Sequence, residues 1–130
     1  MATLTAQQAK FLSNNFLGLA QAIGDYRFDN WNMLSKAENK KLGDLQWLIL
    51  SYGEDILALS TSLVMDEVQD SLAQINNVTL EIKETIKSLN QLQKAINVAA
   101  SIVSLGGAIV SKNPKAIVAG IQGVRKTWAS

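Results

Sequence analysis

The chain has 130 residues, 48% of them hydrophobic and only 18% charged, with a formal net charge of +1. That is enough for one domain with a real core, and too apolar for disorder throughout. With no cysteine and no histidine, disulfides, thiol nucleophiles and ordinary zinc sites are excluded, and the commonest general base is missing.

One proline, few aromatics and abundant Leu, Ile, Ala, Gln and Lys favour helix over sheet. The amino terminus, MATLTAQQAKFLSNN, lacks a basic start followed by an apolar run, so no secretory signal is visible. The expected location is the cytoplasm, with membrane association as the alternative. TLTAQQAKFLSNNFLGLAQAIG (3–24) opens a helix: Thr5 and Gln8 stand in capping-box positions. Ala9, Leu12, Phe16, Leu19 and Ile23 then follow 3–4 spacing, one stripe of that helix. DYRFDNWNML (25–34) either continues it or wraps round its end.

Ser35 and Glu38 form a second capping-box pair. Leu42, Leu45, Ile49, Tyr52, Ile56, Leu59 and Leu63 keep heptad spacing behind it. The phase then slips, and Met65, Val68, Leu72, Ile75, Thr79, Ile82, Ile86, Leu89, Gln93 and Ile96 form a second series. The slip, within 59–66, predicts a break near residues 61–66, where Asp66 and Gln69 offer a cap; NNVT (76–79) is the alternative turn by composition. Thr79 and Gln93 interrupt the seam, either to fix register or where the bundle admits water. Trp47, beside Leu45 and Ile49, is expected in the core, and Trp31 at one closed end of the bundle.

From Ala95 to Val110 the side chains are apolar or small except for Asn97, Ser101 and Ser104. SKNPK follows, then AIVAGIQGV (116–124). The residue before a proline avoids helical geometry, so Asn113 should end one arm and Pro114 start the next. Small residues four apart (Ala100, Ser104, Ala108; Ala116 with Gly120; Ala119 with Gly123) allow two helix backbones to approach closely. The first arm, about 24 Å as a helix, is short of the ~30 Å hydrocarbon core, so the pair is not a simple transmembrane hairpin. The residues expected to meet a membrane or a partner are Ile102, Val103, Leu105, Ile109, Val110, Ile117, Val118 and Ile121, with Lys112 and Lys115 at the tip. Trp128, beside Arg125 and Lys126, suits an interfacial anchor or the last turn of a soluble helix.

Charge is divided along the chain. Residues 42–82 carry seven acids and no Lys or Arg, whereas from Lys94 onward there are five cations and no acid. Either these regions attract each other within a bundle or between subunits, or the tail is drawn to anionic lipid. Asp66, Glu67 and Asp70 read as a solvated helix start. No phosphate-binding glycine loop and no compact basic run for nucleic acid is present.

The expectation is a single all-α domain over 1–130: an antiparallel bundle of three to four long amphipathic helices with an apolar C-terminal helical hairpin (95–124). It is non-catalytic and acts by helix association as a soluble, oligomeric interaction module. Its partners are itself or another helical protein, with no nucleic acid, no small-molecule substrate, no metal and no cofactor. In layout the chain resembles helical pore-forming proteins: long amphipathic helices, then an apolar hairpin tipped by a charged turn. That resemblance implies the alternative, a membrane-active protein with an anionic membrane as partner.

Overall fold

A computed structural model describes residues 2–89 and 91–129, and the protein is all-α. Among the described residues five α-helices pack as a bundle: α1 (Ala6–Asp29), α2 (Lys36–Leu59), α3 (Val68–Thr85), α4 (Leu92–Val110) and α5 (Pro114–Ala129). A two-residue strand β1 (Ala2–Thr3) pairs antiparallel with β2 (Val64–Met65), Ala2 opposite Met65. The Leu4 amide donates to the Leu63 carbonyl at 3.0 Å, so the chain start is fastened to the α2–α3 connection. Leu4, Leu63 and Met65 are all buried beneath that clasp.

Both capping boxes form. The Gln8 amide donates to Thr5 Oγ1 at 3.1 Å, and the Thr5 amide donates to Gln8 Oε1 at 2.9 Å. Ser35 and Glu38 repeat this at 3.1 and 2.8 Å. Each box satisfies amides that the first turn of a helix leaves without partners. The aromatic stretch after Gly24 does both things expected of it. Helix α1 runs on to Asp29, and a 3₁₀ turn over Trp31–Met33 then leads into α2.

Helices α1 and α2 form the most extensive helix pair. Their stripes meet with Phe16, Leu19, Ile23, Leu42, Ile49 and Ile56 fully buried. Two polar ties set the pairing. Ser13 Oγ donates to the Gly53 carbonyl at 2.7 Å, buried between the helices. Farther along, Arg27 donates to Asn39 Oδ1 at 2.8 Å and to Gln46 Oε1 at 3.1 Å.

The break after α2 falls at the phase slip, through a 3₁₀ turn at Ser60–Ser62 and β2. Asn76–Thr79 lies inside α3 and makes no turn. Asp66 does not cap α3: Glu67 occupies that place in a left-handed conformation, φ 46°, without a side-chain cap bond. The Asp66 carbonyl instead accepts from Ser71 Oγ at 3.2 Å.

The second heptad series is not one helix. It is cut at a 3₁₀ turn over Ile86–Ser88, and α4 begins at Leu92, so five helices stand where three or four were expected. The physical reason is reach. A continuous helix over residues 65–110 would be about 69 Å long, far beyond a domain whose radius of gyration should be about 14 Å. Its apolar half would stand bare. Turning back lets α4 pack on α2 on one side and α5 on the other. Both seam interruptions are local: Thr79 is buried and donates to the Ile75 carbonyl at 2.7 Å, while Gln93 is exposed and bonds Asn97 at 2.9 Å.

Between α4 and α5, Lys112 takes a positive φ of 59°. Asn113 Oδ1 accepts from the Ala116 amide at 3.2 Å, which caps α5 as Pro114 enters it. Helix α5 continues through the tail to Ala129 and packs on α4 and α3.

Candidate functional site

The apolar segment was the leading candidate, and its side chains divide sharply. Ile102, Leu105, Ile109, Ile117 and Ile121 are buried in the common core. Val103 and Val110 are half-buried against it. Val118 is the exposed member, at 43%, and Lys112 and Lys115 project from the turn into solvent. Trp128 is half-buried with the Lys94 ammonium 5.3 Å from its ring centre, a cation–π contact. The helix α4 is 19 residues long, about 28 Å. By length and composition it could cross a membrane, and half of that stretch is buried within the protein.

Two close approaches hold α4 in place. A Cβ on Gly106 would lie 2.6 Å from Tyr52 Cδ2 and 3.0 Å from Phe16 Cε2, so only glycine fits this crossing. On the other side, a Cβ on Gly120 would lie 3.1 Å from the Leu105 Cα. Outside that contact runs a groove of about 400 Å³, lined by Ser101, Ser104, Ala108, Ala116, Ala119 and Gly123 among others. Of the small residues four apart, Gly120 makes the close α4–α5 approach, Ser104, Ala108, Ala116, Ala119 and Gly123 line the groove beside it, and Ala100 is exposed.

Residues of the acidic middle and of the basic tail line two clefts between α3 and α5. Asp66, Glu67 and Asp70 of the α3 start share a cleft of about 270 Å³ with Val118, Ile121 and Gln122 of α5. Arg125 donates to Gln74 Oε1 of α3 at 3.3 Å. Glu81, Arg125, Lys126 and Trp128 line a second α3–α5 cleft of about 500 Å³. Among the described residues no cluster of three acids is arranged to hold a metal ion.

The largest exposed apolar side chains lie elsewhere. Phe28 (80% exposed) and Met33 (83%) flank Trp31 at the α1–α2 turn, where the Arg27 guanidinium sits 5.6 Å from the Trp31 ring centre. Trp31 is thus at one end of the bundle but does not close it. Trp47 is 66% exposed on α2, contrary to the expectation of a core position. At 100° per residue it points about 200° away from Ile49. A separation of two residues from Leu45 and from Ile49 places Trp47 near the opposite face of the helix, not on the seam.

The chain matches no protein-family model, no curated protein and no solved structure. Its own surface is therefore the guide to function. Along the outer face of α2, Lys36, Lys40 and Lys41 precede Trp47, and Glu54 and Asp55 follow it, all exposed. Lys40 also pairs with Asp44 at 2.8 Å, and that hydrogen bond raises its pKa above the ordinary lysine value. Sequence reasoning missed this face because it followed the apolar positions. The helical projection of Trp47 from Ile49 was the available signal.

Proposed function

We propose that the protein is a non-catalytic helix-association module: a soluble, oligomeric antiparallel bundle whose apolar C-terminal hairpin belongs to its own core. The observation that supports this reading most is the contrast in exposure. Ile102, Leu105, Ile109, Ile117 and Ile121 are buried, while Trp47, Phe28 and Met33 face solvent. A large aromatic left open to water on a rigid helix is the kind of side chain that anchors a protein contact. The partner is a second copy or another helical protein.

A second reading has one observation in its favour. Helix α4 has the length and composition of a membrane span, which suits a protein that shelters the hairpin in solution and releases it onto anionic lipid. That release must expose eight large apolar side chains now in the core, Ile96, Val98 and Val124 among them, at roughly 1.5–3 kcal/mol each before lipid takes them up.

Sedimentation of the full chain, run beside dye release from anionic and neutral vesicles, separates the two. Association without leakage supports the module. Leakage that needs anionic lipid, from a chain that does not self-associate in solution, supports the membrane reading and overturns the first.

A further inference from the structure

We propose that the outer face of α2 is a self-complementary docking surface, and that its occupant is the same face of a second copy of this chain. The proposal rests on the association reading and adds the surface and the partner to it. Spacing comes first. Lys40 lies seven residues before Trp47 and Glu54 seven residues after it, almost two turns each way, so all three share one face. Each is exposed, as are Lys36 and Lys41 on the basic side and Asp55 on the acidic side.

A two-fold interface is isologous: whatever residue i meets at j, residue j meets at i. If the axis passes near Trp47, the helices cross antiparallel and the two Trp47 rings come together. Lys40 of each chain then faces Glu54 of the other, with Lys41 and Asp55 at the flanks of the contact. One basic half and one acidic half on a single stripe satisfy this operation, whereas a parallel pairing sets like charges against each other. Glu38 and Asp44 reduce the basic half without reversing it: Glu38 is engaged in the cap of α2, and Asp44 is paired with Lys40. Antiparallel helices also align their dipoles favourably.

A specific interface needs on the order of 1,000 Å², more than two tryptophans supply. Phe28, Trp31 and Met33 lie beyond the amino end of α2, and exposed Leu57 lies toward its other end. The two-fold operation brings each aromatic group toward the Leu57 end of the other chain. On the Trp47 stripe itself Ser51 and Ala58 are small.

The test is sedimentation velocity of the full chain over a wide concentration range, with circular dichroism as a control on folding. The wild type should dimerise, and less tightly as salt is added. Trp47→Ala should weaken the dimer about 30-fold or more, as a central aromatic anchor does. Lys40→Glu with Lys41→Glu turns the amino half of the stripe net acidic, with Lys36 its remaining cation, and Glu54→Lys with Asp55→Lys turns the carboxyl half basic. Each pair should weaken the dimer at least about tenfold. The decisive variant combines all four substitutions, which swaps the two halves and restores complementarity only for antiparallel copies. Its dimer should recover to near wild-type strength.

A dimer indifferent to Trp47 and to the charge variants overturns the α2 face while leaving association intact. A chain that stays monomeric at every concentration overturns the second copy as occupant. The vesicle assay then decides separately whether the association reading itself falls. Recovery in the fourfold variant is the one result that only this proposal expects.

Discussion

Replacing Gly106 with alanine sets two effects of opposite sign against each other on α4. In the interior of a helix, alanine is favoured over glycine by roughly 0.5–1 kcal/mol. At Gly106, however, the new methyl carbon would lie 2.6 Å and 2.7 Å from Tyr52 ring carbons and 3.0 Å from the Phe16 ring. Carbon atoms sit comfortably at about 3.5–4 Å, so the Tyr52 ring must move by about 1 Å within a packed crossing. Overpacking of this kind costs roughly 1–3 kcal/mol. The net expectation is a loss of about 1 kcal/mol, seen in urea as a lower midpoint at unchanged slope. Gly107 is the internal control. A Cβ there meets only the Tyr52 hydroxyl at 3.4 Å, so Gly107→Ala should gain about 0.5 kcal/mol from propensity alone. Adjacent residues on one helix thus respond in opposite directions. In a Tyr52→Ala background the cost at Gly106 should fall by at least half. If Gly106→Ala stabilises as much as Gly107→Ala, α4 does not pack on α2 as described.

Three further outcomes follow from the same packing. Ile109→Asp places a carboxylate at a fully buried position and should abolish the cooperative transition followed by circular dichroism; Val118→Asp, at an exposed site, should shift stability by less than about 0.5 kcal/mol. Ser35→Ala removes the acceptor of the Glu38 amide and should cost about 1 kcal/mol in chemical denaturation. Burial raises the Tyr26 phenol above its ordinary 10.0, with the Glu38 carboxylate adding to it. Its contribution to stability is therefore full below pH 10.0 and lost as pH climbs through the raised value. Ultraviolet titration should show a late-ionising tyrosine that is absent in Tyr26→Phe.

What was legible in the sequence was whatever is encoded within one or two turns. Thr5 with Gln8 and Ser35 with Glu38 specify their caps locally, and both boxes form. Asn113 followed by Pro114 likewise marks the α4–α5 turn. The slip between Leu63 and Met65 marked the α2–α3 connection because the apolar register cannot continue through it, although α2 itself stops earlier, at Leu59. The break at Ile86–Ser88 left no such trace. Ile86, Leu89 and Ile96 keep the heptad phase because each still faces the core after the chain turns. What forces that turn is the need to cover α4, a property of the whole fold rather than of the residues at the break. The same non-local term governs the candidate site. Nothing near Ile109 or Ile117 in sequence indicates whether lipid, a partner or α2 and α3 will cover them. Trp47 is the converse case, since its direction from Ile49 follows from helical geometry alone.

The central claim is that the hairpin is core, and amide hydrogen exchange of the full chain tests it most directly. If α4 belongs to the core, the amides from Val98 to Ile109 exchange only through global unfolding, as slowly as those around Phe16 and Ile49. If α4 and α5 exchange together through an opening well below the global free energy, while α1 and α2 stay protected, the hairpin is a releasable element. That result would contradict a hairpin that is part of the core.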